Sequence, residues 1–197
     1  MSYKKTSDKL NEYRSQIAEL RKKMHEAQAA IEPEEVEDYA FKRAGGGTVH
    51  LSELFGDKDT LIVVHNMGAG CAYCTLWADG FNGVYDHLRS RAAFVLSSPD
   101  APEQQQKFAA SRGWKFPMVS YEGTTFGEDM GYRSNGRATP GVSVFRRKGQ
   151  KIVRLRHVVL ARRRFLRRVA PVRSHPGGSC RLAAEVQVCV VGWVERQ

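Results

Sequence analysis

The chain has no uninterrupted apolar run of eighteen residues, and its first residues form a charged, helix-forming segment instead of a basic patch followed by an apolar stretch. Those absences predict a protein of the cytoplasm with no membrane partner. Cysteine is scarce as well, with four in 197 residues. In a reducing compartment, so few are free thiols or a cycling pair, not structural staples. Two of them, Cys180 and Cys189, have no histidine at the spacing of a zinc finger, which removes the second ligand pair that a structural zinc normally needs. Lysine disappears altogether after Lys151. Of the net charge of +10, residues 1–153 carry +2, from 21 Lys and Arg against 19 Asp and Glu, and residues 154–197 carry +8, from 10 against 2. The basicity therefore does not describe the body of the protein. A stretch rich in Arg, Ala, Val, Gly and Pro without Lys, such as Arg162-Arg163-Arg164-Phe165-Leu166-Arg167-Arg168, reads either as a frame-shifted end over 157–197 or as a basic arm for nucleic acid or anionic lipid. Nucleic acid is a partner only if that tail is genuine.

What the sequence does contain is Cys71-Ala72-Tyr73-Cys74, placed after the apolar run Leu61–Val64 and a Gly68-Ala69-Gly70 turn, at the start of an amphipathic segment. Two cysteines three apart on the first turn of a helix face the same way, with side chains about 5 to 6 Å apart, within the reach of a disulfide. The first sits where backbone N–H groups lack intrahelical partners, so its thiolate is favoured and its pKa is expected below that of a free cysteine. The alternatives for such a pair are zinc binding and two inert buried thiols; context favours redox chemistry.

Around this motif the pattern predicts an α/β protein. Leu10, Tyr13, Ile17, Leu20 and Met24 recur at three- and four-residue steps, giving a helix over 7–30, which packs on the domain or mediates homo-oligomer formation. Residues 1–37 read as a helical extension and 38–156 as one domain. Within it, strands are expected near Tyr39–Phe41, at 61–65, at Ala93–Ser97 and at Phe116–Ser120, with a helix ending at Gly113. Gly80 and Gly83 predict a break or kink in the cysteine helix. A hairpin of Gly141–Phe145 and Lys151–Val153 closes the sheet, whose strand directions are mixed. Cys71 then lies at the C-terminal end of a strand, where open α/β sheets place their sites.

This order of elements around Cys-x-x-Cys resembles the thioredoxin fold, with an insertion before the final hairpin like that of peroxiredoxins. More narrowly, Asp38-Tyr39-Ala40-Phe41, Leu51-Ser52-Glu53-Leu54-Phe55, Cys71-Ala72-Tyr73-Cys74-Thr75-Leu76-Trp77-Ala78-Asp79 and Gly113-Trp114-Lys115-Phe116-Pro117 resemble a bacterial thioredoxin-like family of predicted dithiol-disulfide oxidoreductases, formerly a domain of unknown function. The tail after about residue 153 does not match. The resemblance implies a mixed sheet flanked by helices, no cofactor, a protein or small-molecule disulfide or dithiol as substrate and a separate reductant. It also implies a cis proline beside the thiols: Pro140, directly before the hairpin, is preferred over Pro117. In the exchange reading Cys71 attacks and Cys74 resolves, while His65, at the end of the preceding strand, donates to the thiolate or takes its proton. Tyr73 shapes the substrate surface, Trp77 is core, Asp79 is a proton relay or a helix cap, and Arg133 and Arg137 are candidates to face the thiols. A peroxiredoxin-like alternative makes Cys74 the peroxide-reactive cysteine, with Cys71 at the position of the threonine three residues before it. A third reading is a basic nucleic-acid-binding or structural protein.

Overall fold

The computed structural model describes residues 3–43 and 45–159. The chain divides into two compact units, Met1–Pro33 and a second that begins at Glu34. The first contains helix α1 (Tyr3–Ala29), in which no residue is buried and Leu10, Tyr13, Ile17, Leu20 and Met24 are all exposed. Its apolar steps give the helix one face, as its sequence predicts.

The second unit is built on an eight-stranded mixed sheet. Its strands are β1 (Glu34–Val36), β2 (Ala40–Arg43), β3 (Thr48–His50), β4 (Thr60–His65), β5 (Ala93–Ser98), β6 (Met118–Ser120), β9 (Gly141–Lys148) and β10 (Lys151–Val159), and the small separate hairpin β7 (Arg133–Ser134) and β8 (Arg137–Ala138) stands apart from them. Across the sheet the order is β1, β10, β9, β4, β5, β6, β2, β3. Strands β4, β5 and β6 run parallel, and β9 lies antiparallel to β4 on its other side. The edge strand β1 falls within the stretch assigned by sequence to the helical extension, and it pairs with β10 from Glu34↔Arg154 to Val36↔Ile152.

The apolar run of β4 is continuous because the strand is covered on both faces. Ile62 and Val64 point to one side, where helix α2 (Ala72–Arg91) packs Ala78, Phe81 and Leu88 against them together with Phe94, Leu96 and Val142. Leu61 and Val63 point to the other, into a core with Phe41, Phe55, Phe126, Tyr132 and Phe145. Helix α3 (Pro102–Arg112) ends, as expected, on Gly113 in the left-handed conformation at φ 64°. A short helix α4 (Phe126–Asp129) follows β6. The two-residue turn of β7 and β8 is Asn135-Gly136, both at positive φ, the pairing that a type I′ hairpin requires.

Three expectations need correction. The predicted break at Gly80 is absent: α2 is continuous, since burial of Cys74, Ala78, Phe81 and Leu88 along one face outweighs a propensity loss of about 1 kcal/mol per glycine. The hairpin turn is tighter than read, because β9 extends to Lys148 and Gly149, at φ 62°, makes the reversal. No cis peptide bond occurs among the described residues, so both Pro140 and Pro117 follow trans bonds. The trans form is the default of an X–Pro bond by about 0.5–1 kcal/mol, and Pro140 enters an extended strand that it suits. The Arg-rich tail of 157–197, with Cys180 and Cys189, lies outside the described residues except for its first three, which belong to β10.

Nothing lies within 4 Å of a Cβ built on Gly80 or Gly83. Gly80→Ala and Gly83→Ala are therefore each expected to raise the unfolding free energy by about 0.5–1 kcal/mol, whereas Gly113→Ala, forced to positive φ, should lower it. Urea denaturation of the three variants checks this; a loss of stability in both helix variants would contradict the open surface of α2.

Candidate functional site

The site begins where β4 ends. His65 is the last residue of the strand and pairs with Gly141, the first residue of β9, which Pro140 directly precedes in the chain. The Asn66 N–H donates to Ser97 O on β5 (2.8 Å), and its side-chain Oδ1 accepts the Gly68 N–H (2.7 Å). Gly68 takes φ 104°, a conformation that side-chain-bearing residues avoid. The turn is closed by Asp100, just beyond the end of β5, whose Oδ2 accepts the Ala69 N–H at 2.7 Å. Cys71 N–H then donates to Gly68 O (3.1 Å), and α2 starts.

Cys71 is the N-cap of α2. Its Sγ accepts the Cys74 N–H at 3.3 Å, in the manner of a serine or aspartate cap, and its carbonyl accepts both the N–H and the hydroxyl of Thr75. The two sulfurs are unlike in environment. Cys71 is half-buried and reaches solvent, while Cys74 is 5% exposed and its Sγ accepts the Met67 N–H at 3.5 Å. Neither is in a disulfide in the structure.

Tyr121, in the core cluster of Leu61 and Val63, comes within electrostatic range of Cys74. Gly127 allows it to pack closely, since a Cβ there would stand 3.1 Å from the tyrosine ring and 3.2 Å from Arg133 Cβ. Burial pushes the Tyr121 hydroxyl up to about 12; Arg133 opposes that, and Glu128, Asp100 and Cys74 add to it. The tyrosine is thus a neutral group in the electrostatic reach of both Cys74 and Arg133. Arg133 itself pairs with Glu128 at 3.5 Å, and Arg137 is exposed on β8.

His65 is not where the thiol chemistry needs it. Residues alternate along β4, so His65 shares the face of Leu61 and Val63, opposite the face that receives α2. Its Nε2 is 2.9 Å from Ser143 Oγ, its ring stacks on Tyr132 (3.8 Å between centroids) and Phe126 (5.3 Å), and its buried Nδ1 has no partner. It makes no hydrogen bond to either cysteine. Burial, with a smaller effect of Arg154, lowers its pKa to about 3 and keeps the ring neutral. Asp79 is likewise structural: it accepts Trp114 Nε1 (2.8 Å) and pairs with Arg112, tying α2 to the end of α3. Trp77 packs against the second core cluster, its ring 6.3 Å from Phe81, and Tyr73 is exposed beside the pair. Sequence reasoning missed Asn66, Asp100 and Tyr121. The turn signal Asn66…Gly68 was available, but the contact of Asp100 spans 31 residues and has no local signature.

Residues 3–165 match the family model described as "Bacterial protein of unknown function (DUF899)". The chain belongs to this family. The match runs past residue 153, the point at which the resemblance read from the sequence ends. No curated protein matches the chain. Among solved structures it is similar to peroxidoxin BcpB from Mycobacterium tuberculosis, at 22% identity over 64% of this chain and 84% of that one, with a TM-score of 0.56. It is similar also to reduced Prx3 in complex with H2O2 from Vibrio vulnificus (13% identity, 68% and 91% coverage, TM-score 0.57). A mutant of peroxiredoxin Q from Xanthomonas campestris gives 15% identity, 80% and 92% coverage and a TM-score of 0.54. At these identities the likeness is one of fold, and the fold is thioredoxin-like: a mixed sheet flanked by helices. No helix among the described residues is long and apolar enough to cross a membrane.

The buried, neutral His65 has a consequence for stability. Its folded pKa is depressed, so below the ordinary value of about 6.5 the unfolded chain takes up a proton that the folded chain refuses. His65 therefore leaves stability intact above that pH and removes it as pH falls towards 3, by up to about 1.4 kcal/mol per pH unit. The difference in unfolding free energy between pH 7 and pH 5 should shrink in His65→Asn. An unchanged difference would show that the histidine is protonated or solvated in the folded protein.

Proposed function

We propose that this protein is a dithiol-disulfide oxidoreductase in which Cys71 and Cys74 are the reacting pair. The observation that carries the reading is their asymmetry: a half-buried sulfur that caps α2 and accepts the Cys74 N–H, followed one turn on by a buried sulfur. Cys71, the accessible one, attacks a substrate disulfide as thiolate. A new S–S bond joins it to one substrate sulfur, and the other leaves as a thiolate. Cys74 then attacks Cys71 Sγ, releasing the second substrate thiol and leaving an intramolecular Cys71–Cys74 disulfide. Two electrons have passed to the substrate. A dithiol reductant restores the pair by the same exchange in reverse. Because both residues lie at the first turn of α2, Cys71 as its N-cap and Cys74 within it, the bond closes and opens without a change of fold. Pro140, directly before the strand that pairs with the end of β4, is the backbone against which an extended substrate is aligned. The proton of Cys71 goes to solvent, since His65 faces away.

A second reading is supported by the surroundings of Cys74. It is the buried sulfur, it accepts a backbone N–H from Met67, and Tyr121, with Arg133 close by, lies in its electrostatic neighbourhood. Several solved structures of similar fold carry peroxiredoxin or peroxidoxin names. In that reading Cys74 attacks hydrogen peroxide, becomes a sulfenic acid with loss of water, and Cys71 condenses with it to give the same disulfide.

Cys71→Thr separates the two. For disulfide exchange, the variant loses nearly all activity on small-molecule and protein disulfides, because the attacking sulfur is gone. Mild oxidation of the wild type should yield a Cys71–Cys74 disulfide in a peptide mass map. Rapid peroxide-dependent labelling of Cys74 in Cys71→Thr by a sulfenic-acid probe, absent in Cys74→Ser, would reverse the ranking of the two readings. Failure of the wild type to form the disulfide at all would sink both.

A further inference from the structure

The turn between β4 and α2 has an unusual closure. Asp100 Oδ2 accepts the Ala69 N–H at 2.7 Å, and Oδ1 of the same carboxylate lies 2.5 Å from where a Cβ on Gly68 would stand. The carboxylate fills the space that any side chain at residue 68 would need. The Asp100 N–H is in turn donated to Ser98 Oγ (3.3 Å), and Ser98 Oγ accepts Gln105 Nε2 (2.8 Å), so the acid stands on a buried polar support between β5 and α3. From this support a short series of hydrogen bonds leads to the sulfurs. Ala69 is held by Asp100, Gly68 by Asn66, the carbonyl of Gly68 holds the Cys71 N–H, and Cys71 Sγ takes the Cys74 N–H. Met67, at the start of the same turn, donates its N–H to Cys74 Sγ. Both sulfurs are therefore positioned by one five-residue turn, and that turn is clamped from the side by one carboxylate.

We propose that Asp100 is a positioning residue for the thiol pair, setting the reactivity of Cys71 through the Ala69 N–H and not by contact with substrate. The inference rests on the reading of Cys71 and Cys74 as the reacting pair. An error of position at a reacting group is costly in rate, since a displacement of about 1 Å can lower it a hundredfold. Asparagine keeps an oxygen of the same reach and shape at residue 100, alanine removes the acceptor, and glutamate keeps the charge but moves it by one methylene towards Gly68.

The test measures two properties of the thiols in the full chain, neither of which requires turnover. One is the rate of Cys71 alkylation by iodoacetamide at pH 7, followed by peptide mass mapping. The other is the equilibrium of the Cys71–Cys74 disulfide with glutathione. Far-UV circular dichroism and thermal melts report folding. Asp100→Ala is expected to slow alkylation roughly tenfold and shift the equilibrium, with Asp100→Asn within about twofold of wild type. Asp100→Glu should slow alkylation as well, and it answers the question where the alanine variant does not fold. Wild-type rate and equilibrium in folded Asp100→Ala, or in Asp100→Glu, would overturn the proposal. Equal impairment in Asp100→Asn and Asp100→Ala would also overturn it, because the charge and not the acceptor would then matter. A wild type that alkylates normally but turns over no disulfide would count against the proposed function and leave this inference standing.

Discussion

Everything at the candidate site follows from how β4 is held. The strand is hydrogen-bonded on one side to β5, in parallel, and on the other to β9, antiparallel. Its last residue is thereby fixed in height relative to both neighbours, and a one-residue slip would turn its whole core face to the wrong side. The parallel neighbour brings Ser97 and Asp100 to the level of the β4-to-α2 turn, where they accept the Asn66 and Ala69 N–H groups, and the antiparallel neighbour holds the last residue of β4 through Gly141. Helix α2 can then begin with a cysteine in the capping position because the chain arrives at Cys71 already directed.

The thiol pair illustrates how a side chain can serve as cap and, in the proposed function, as reactant. Serine, threonine, aspartate or asparagine at an N-cap satisfies one of the orphan donors of the first turn. Cys71 does the same with sulfur, a larger and softer acceptor, and so sits where a negative charge on it is met by a backbone N–H. Cys74 is the residue whose N–H it accepts. The group that orients the first sulfur and the group that carries the second are thus the same residue, which couples the geometry of the two thiols more tightly than spacing alone.

How much of this was legible in the sequence depends on range. The pair, the buried strand before it, the Gly113 cap and the closing hairpin are local patterns of three to ten residues, and the chain states them plainly. The continuity of α2 through Gly80 was not legible, because the apolar face that overrides two glycines is defined by what it packs on. Asp100 and Tyr121 were hidden for a similar reason: their partners are distant in sequence and meet only once the parallel strands are laid side by side. His65 is a different case. Its alternation with Val63 and Leu61 is visible in the sequence and places the ring on the face away from α2, so nearness along the chain to Cys71 does not mean nearness in space.

The position of His65 also bears on what chemistry the site can support. A histidine stacked between Tyr132 and Phe126, with Nε2 against Ser143 and Nδ1 buried without a partner, is held neutral and cannot exchange protons with a sulfur on the other side of the sheet. A mechanism that needs His65 as an internal base is therefore closed to this fold. Thiol-disulfide exchange does not need one, since an attacking thiol can give up its proton to water. In the proposed exchange, catalysis then rests on position: the height of Cys71 above the end of β4, the reach of Cys74 behind it, and the turn that sets both. That is the reason the residues which hold the turn, and not a general base, are where this chain's chemistry is to be sought.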